Sequence, residues 1–562
     1  MATFNNVLNP SLGSFIQTFL LFFAFVSNGQ QTVGLISIDQ AKSIGGYNLI
    51  YPDNQPHVFL LNECGEIVNT WEDAIDARPG KTAYLLENGD LLKCKTSGGL
   101  PGVSFGVGGA GGIIEIYSWE NELQWSYQVA DSLNRQHHDV HFMENGNVLM
   151  IVWERISFDE IIENGFDTLS NPQESLWPDY ILEVNPNTNE RVWEWHAWDH
   201  LVQDFDSTKL NFGTVSEHPE LIDLNYQKFT GQREDLMHAN SIDYDPVKDQ
   251  IILSVRNYNE IWIIDHSTTT AEAASHAGGN GGKGGDLLYR WGNPEAYKMG
   301  SPNDRKLFVQ HDAQWIDEFV DADYEHFGKI ILYNNLIESD LSLGQILAPV
   351  WDSTSKTYAM QNGVFLPQEF TSAISHPDTS KNFSGTASSI QVIGDGYIVM
   401  CASVQGLAFE LTPQGEVAWE YKVPLKNGFP IPQGFELSLL DNFTFRCERY
   451  PENYAGFIGK DLSPKGYIEL EPDVSNCMFT NVQNKVEETK QIKLYPNPVS
   501  DYLHIEMGKK DFQNLEIINQ YGQVYFYSTI IDKALAIDAS DWPKGVYFLM
   551  IDGAFKNKFI VQ

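Results

Sequence analysis

The sequence predicts an all-β protein: a β-propeller of six blades followed by a small C-terminal β-sandwich. Three observations predict it. A loose repeat runs from about residue 34 to about residue 473, and each unit joins a strand–turn–strand half ending in tryptophan to a strand opened by a polar turn. A histidine recurs at one position of that repeat. The 45 glycines, 14 tryptophans and 25 tyrosines suit many short strands joined by tight turns. A β-sandwich would explain the strands but not the recurring histidine; a propeller, whose repeats stack around a channel, explains both.

The elements follow in order. Phe15–Val26 (FIQTFLLFFAFV) is an apolar run of signal-peptide length, and small residues follow at Ser27–Gly29. No Lys or Arg precedes it, so the usual positive region is missing. Residues 1–29 are expected to be a signal peptide. The propeller is then expected over 30–483, a polar linker over 484–493 and the tail domain over 494–562.

Within the repeat, the tryptophan-ending halves include HVFLLNECGEIVNTWE (57–72), YILEVNPNTNERVWEW (180–195) and LAFELTPQGEVAWEYKV (407–423). The turn-opened strands are Leu91–Cys94, Val148–Val152, Ile251–Val255, Ile330–Tyr333 and Ile398–Cys401, following NGD, NGN, KDQ, FGK and GDG. Five units are clear, and a sixth can be assembled from the two ends. The tryptophans are expected to pack between blades. Long polar inserts at Ser157–Asp179, Trp198–Asp235 and Tyr297–Lys306 suit loops over one face. Gly278–Gly285 (GGNGGKGG) lacks the order and strand–helix context of a phosphate loop and reads as a flexible surface turn.

Charge narrows the function. With 75 acidic against 36 basic residues the formal net charge is −39, which excludes nucleic acid and anionic membrane surfaces as partners. An anionic substrate therefore needs a local positive site. The five cysteines (Cys64, Cys94, Cys401, Cys447, Cys477) match no zinc motif, and an odd count leaves at least one thiol unpaired. Their pairing stays open.

The chemistry sits at the repeated position. His137–Phe142 (HHDVHF), His238–Tyr244 (HANSIDY) and Phe308–Ile316 (FVQHDAQWI) each lead through a polar turn into an apolar strand, and Ser388–Ile393 carries serine in place of histidine. Side chains from several repeats then reach one shared place, with Arg256 directly after the strand of the second. His137 and His141 flank His138 and compete with it for the role; His138 precedes an acid, as His311 does. Asp139 and Asp312 either orient imidazoles or cap turns. His376 lies in a polar loop and reads as solvated. Three histidines also suit an open zinc site, but short H-x-H or HExxH spacing is lacking and Arg256 would repel a cation. No metal or other cofactor is expected. A non-catalytic binding propeller and a histidine-ligated metal hydrolase are the rival readings.

Residues 34–473 resemble bacterial aryl-sulfate sulfotransferases, on His138-Asp139 before NGN, His238-Ala239-Asn240-Ser241 before the SVR of Ser254–Arg256, and Gln310-His311-Asp312-Ala313. The resemblance implies a six-bladed propeller that moves a sulfuryl group from an aryl sulfate to a phenol, without a nucleotide donor and through a sulfohistidine, in ping-pong order. It implies His311 as nucleophile. His238, Asn240 and Arg256 would grip the sulfuryl oxygens, and His138 would assist binding or proton transfer. Ser388 and His137 would add substrate contacts. The oligomeric state stays open, with a homodimer among the assemblies allowed. The tail resembles the sorting domain of type IX secretion, on Tyr495-Pro496-Asn497-Pro498, Gly545-Val546-Tyr547 and Lys558-Phe559-Ile560-Val561. That implies export to the outer-membrane surface or beyond, with the type IX machinery as partner.

Overall fold

The computed structural model describes residues 31–97, 105–227, 234–478, 492–507, 514–519, 523–529, 534–551 and 554–562. The expected signal peptide and most of the linker lie outside them.

The chain is all-β. Six antiparallel sheets follow one another, five of four strands and one of five. Innermost strand first, the first sheet is Ala77–Leu85, Leu91–Ser97, Ile113–Tyr117 and Leu123–Gln128. The second is Asn134–Phe142, Val148–Glu154, Asp179–Asn185 and Glu190–His196. The third is Ala239–Asp245, Gln250–Val255, Glu260–Asp265 and Tyr289–Trp291. The fourth is His311–Trp315, Ile330–Glu338, Leu341–Leu347 and Ser372–Ile374. The fifth runs Ser389–Ile393, Tyr397–Ala402, Leu407–Leu411 and Val417–Lys422, and Gly34–Ile38 adds an outer strand. The sixth joins the two ends of the repeat region: Thr444–Tyr450 is innermost, followed by Tyr47–Pro52, Val58–Leu61 and Ile67–Trp71.

The turn after each of the first five innermost strands needs a left-handed residue. Gly89, Gly146, Asp249, Gly328 and Gly396 supply it, with φ of 86°, 84°, 55°, 72° and 97°. That is the physical content of the NGD, NGN, KDQ, FGK and GDG signals.

No sheet buries its own faces. Leu149, Ile151 and Trp195 of the second sheet share a core with Ile251, Leu253 and Trp262 of the third. The opposite face of the third, through Ile252 and Ile263, packs on Trp315, Ile330 and Leu332 of the fourth. The pattern repeats between the fourth and fifth, fifth and sixth, sixth and first, and first and second sheets. The six innermost strands likewise touch in a closed ring. Continuous apolar runs such as QIILSV and EIWIID follow from this, because each strand is covered on both faces.

The tryptophans that end each repeat tie neighbouring sheets. The indole N–H of Trp71 donates to Ser118 O at 2.9 Å, that of Trp195 to Gly285 O at 2.7 Å, and that of Trp419 to Glu63 O at 2.8 Å. Each acceptor belongs to the next sheet or its connection. Cys64 and Cys477 form a disulfide, while Cys94, Cys401 and Cys447 are buried thiols. In the tail, Ile492–Tyr495, Tyr502–Met507 and Ala534–Asp538 form one sheet and Val524–Thr529, Asn514–Asn519, Gly545–Ile551 and Ala554–Val561 another. Leu503, Ile517 and Leu549 lie in the core the two sheets share.

Candidate functional site

Five of the six innermost strands carry a register shift at the same place. It falls at Gly80–Thr82, His137–Asp139, Asn240, Asp312–Ala313 and Phe445–Arg446. A bulge inserts a residue, bends the strand and re-aims its side chains. Positive φ at Lys81 (104°), His138 (53°), His238 (55°) and Asp312 (58°) marks the same bends. The motif read from the sequence is therefore a backbone device before it is a set of side chains.

Around the bends, the His138 and His238 rings lie 4.5 Å apart between centroids, edge to face. Phe445 stands between His138, at 6.0 Å, and His311, at 6.3 Å. The histidines that flank His138 take different surroundings, although His137 Nδ1 also lies 2.8 Å from His138 Nδ1. His137 is fully buried behind it, stacked on Trp153 at 3.8 Å, with Nε2 3.2 Å from Asp179 but off the hydrogen-bond direction. His141 pairs instead with Asp243 at 3.2 Å; burial opposes its charge, but the carboxylate lifts it above its ordinary value.

His311 has its tautomer fixed by its neighbours. Asn335 donates through Nδ2 to Ser384 O and Ala387 O, both at 2.8 Å, so its Oδ1 is an acceptor. That oxygen and Val309 O face His311 Nδ1 at 2.8 and 2.9 Å, which places the proton on Nδ1. Nε2 then carries the lone pair, and the N–H of Ala387 donates to it at 3.1 Å. Burial first, then the Arg256 guanidinium, holds His311 well below its ordinary 6.5. Burial, with His238 and His137 beside it, lowers His138 in the same way. Both imidazoles are neutral at physiological pH. His238 keeps its Nδ1 on the Asp235 carboxylate, whose other oxygen takes the Trp153 indole N–H at 3.1 Å.

Arg256 follows the second strand of the third sheet, and its Nη1 donates to Asn257 Oδ1 at 3.1 Å. It lines a pocket of about 360 Å³ with Asn257, Asn259, Arg305, Phe308, Val309 and Leu336. The pocket thus holds two guanidiniums beside an aromatic ring, and His138, His238 and His311 are not among its lining residues. Asn240 is fully buried and spends Nδ2 on Gln310 O at 2.8 Å. Ser388 is also fully buried, and its hydroxyl accepts the Ser403 N–H at 3.3 Å. His376 is a correction: it is buried rather than solvated, with Nε2 3.3 Å from Glu420.

Asp139 and Asp312 neither orient imidazoles nor cap turns. Both bind Arg446, through Nη2 at 2.8 Å and Nε at 3.2 Å. Each also stitches its sheet to the next, Asp139 accepting the Ile242 N–H at 3.1 Å and Asp312 the Ile390 N–H at 2.7 Å. Sequence reading missed Arg446, Asn335 and Lys81, whose ammonium pairs with Asp53 at 2.8 Å and whose charge is felt at His138. The polar pair Asn334-Asn335 inside the apolar run IILYNNLI was a usable signal. Arg446 was not, because its strand belongs to the sheet assembled from both ends.

These features define an all-β protein with neutral imidazoles and arginine gathered where bulged innermost strands meet. Residues 111–422 match the model of the arylsulfotransferase family (ASST), more than half of the chain, and the chain belongs to that family. Every expected site residue falls within the match, whereas Lys81 and Arg446 fall outside it. Residues 493–562 match the secretion system C-terminal sorting domain, which implies export to the cell surface or outside. A search of curated proteins found no match. Among solved structures, a protein of unknown function from Bacteroides caccae is 9% identical with a TM-score of 0.38, covering 73% of this chain and 100% of that one. A streptogramin B lyase is 11% identical with a TM-score of 0.33, covering 75% and 94%. Virginiamycin B lyase from Staphylococcus aureus is 10% identical with a TM-score of 0.29, covering 67% and 85%. Likenesses this distant carry no functional argument.

Proposed function

We propose that this chain is a six-bladed β-propeller sulfotransferase that moves a sulfuryl group from a phenolic sulfate ester to a phenolic acceptor through a sulfohistidine on His311. The observation that carries the reading is the His311 tautomer. Asn335 holds the proton on Nδ1, so Nε2 presents the lone pair of a neutral imidazole within the family match. Neutral imidazole bears its nucleophilic lone pair without a base having to remove a proton first.

In the first half-reaction the Nε2 lone pair forms an N–S bond while the S–O bond to the aryl group breaks. The electron pair leaves with the phenolate, which takes a proton from solvent or from a neighbouring imidazole. Sulfuryl transfer places charge on three equatorial oxygens, so positioning and positive charge do most of the work. Arg256 offers a permanent charge and a planar fork for those oxygens. His238 and Asn240 complete the grip, Ser388 and His137 support it from behind, and His138 handles the proton. In the second half-reaction the acceptor phenolate oxygen forms the new S–O bond, the N–S bond breaks, and Nε2 regains its lone pair. The tail acts as a β-sandwich read by type IX secretion.

The test is 4-nitrophenyl sulfate with and without a phenol, followed by mass spectrometry of enzyme quenched with donor alone. Phenol-dependent release of nitrophenol, parallel-line kinetics and an added sulfuryl group on the His311 peptide are expected. Release independent of phenol, or a group on another histidine, overturns the reading.

A further inference from the structure

At the outer edge of the second sheet, far along the sheet from His138, two histidines converge on one carboxylate oxygen. His200 Nδ1 lies 2.8 Å from Asp286 Oδ1, and His276 Nδ1 lies 2.7 Å from the same atom. His200 is fully buried and Asp286 nearly so, whereas the His276 side chain is 61% exposed. The three ligand atoms all lie within 4.8 Å of one another, and no other such group occurs among the described residues.

The tautomer of His200 makes the arrangement informative. Its Nε2 is 2.7 Å from Ala273 O, and a carbonyl only accepts, so Nε2 carries a proton. Nδ1 is therefore the nitrogen that faces the carboxylate. A proton fills the gap between Nδ1 and Oδ1 in the metal-free protein, and a metal ion competes for the same lone pairs. An N–H-to-carbonyl bond on the far nitrogen is also what fixes a metal-ligating imidazole.

The surroundings hold this ring in place. The His200 ring lies parallel to Trp195, 5.8 Å away between centroids. A Cβ at Gly285 would come within 2.0 Å of Ala273 O and 2.5 Å of His200 Nε2. Only glycine fits there, and Asp286 follows it directly. The GGNGGKGG run thus ends by delivering a ligand. Its start is ordered too, with the Gly281 N–H on Asp265 Oδ2 at 2.6 Å.

We propose that His200, His276 and Asp286 form a structural site for a divalent transition metal of zinc's ligand preference, which clamps the glycine-rich connection of the third sheet onto the second. Zinc takes imidazole and carboxylate ligands at about 2.0–2.2 Å, which puts tetrahedral ligand atoms about 3.3 Å apart. Both contacts to Asp286 must open by about half an ångström to reach that spacing, through the exposed His276 on one side and a small rotation of the Asp286 carboxylate on the other. The metal displaces the proton between Nδ1 and Oδ1, so binding releases a proton and weakens in acid.

The experiment uses the untagged full chain, stripped with chelator and titrated with zinc. Metal per chain is read by elemental analysis, affinity by calorimetry and melting temperature by scanning calorimetry. Wild type is expected to bind one zinc and to melt higher with it. His276→Ala, at an exposed position that leaves the fold intact, is expected to bind at least about tenfold more weakly and to lose the zinc-dependent rise. Asp286→Asn gives the second variant, with the same loss expected. Cobalt in place of zinc is expected to give the visible absorption of a tetrahedral site in wild type alone. Equal zinc stoichiometry and equal melting shifts in wild type and His276→Ala overturn the proposal, as does a wild type that binds none.

Discussion

The Ala387 N–H donates to Nε2 of His311 across the boundary between the fourth and fifth sheets, at 3.1 Å. The lone pair proposed to attack sulfur is thus parked on a backbone donor in the free protein, and the donor ester must displace that bond. A buried acceptor left unsatisfied would cost about 1–3 kcal/mol, so parking keeps the resting imidazole neutral and in place.

The other side of the ring gives the first prediction. Asn335→Asp puts a carboxylate beside Nδ1, and an opposite charge favours the imidazolium. The acid limb of kcat/KM against pH should move up by about one unit, since protonated His311 cannot attack. An unmoved limb would show that His311 protonation does not limit the first half-reaction.

Arg446 carries the second prediction. It is buried with Asp139 and Asp312 on either side, and removing it leaves two carboxylates without their cation. Arg446→Met should cost about 3–5 kcal/mol in urea unfolding. Adding Asp312→Asn to that variant should recover part of the loss, because one of the stranded charges is gone. Additive losses in the double variant would mean that the pair is not coupled.

How legible was this in the sequence? The repeat, the tryptophan halves and the turn-opened strands were readable because each is local: alternation, an indole and a glycine all sit within twenty residues. His138, His238 and His311 could be singled out because each stands on or just before an innermost strand, at one position of the repeat. What Asp139 and Asp312 do was not. Their shared partner, Arg446, lies in a strand whose sheet-mates come from the other end of the repeat region, and no periodicity links them. The His200–His276–Asp286 cluster escaped for the same reason, since its ligands sit in two inserts on different sheets. His376 looked solvated because its neighbours in sequence are polar, yet the ring meets Glu420 from the fifth sheet.

A third prediction concerns pH and stability. Burial first, then the Asp312 carboxylate, pushes Glu448 up to about 8, from an ordinary 4.5. A raised carboxyl binds its proton more tightly in the folded state, so its contribution is fully present below the unfolded value and is lost as pH rises. Stability should therefore decline between about pH 4.5 and pH 8. Glu448→Gln should flatten that decline while changing stability little at pH 5. An identical slope in the variant would assign the pH dependence to other groups.

The fourth prediction concerns the Cys64–Cys477 disulfide, which joins residues 413 apart in sequence. Reduction should lower unfolding free energy by about 2–4 kcal/mol, and Cys64→Ser/Cys477→Ser should reproduce the loss without reductant. The buried thiols Cys94, Cys401 and Cys447 should stay unlabelled by an alkylating reagent until the protein unfolds. Labelling at the rate of a free thiol in the native state would contradict their burial.

The sixth sheet sets an order of events in time. Its strands Tyr47–Pro52, Val58–Leu61 and Ile67–Trp71 leave the ribosome early, but their innermost partner Thr444–Tyr450 leaves only after the other five sheets. Until then the ring has no latch, and the early strands present open edges. Pairings so distant in sequence form slowly, because the intervening chain must first be brought together. A molecule that failed to complete the circle would leave the edges of Tyr47–Pro52 and Thr444–Tyr450 open, which are the segments a protease would find first.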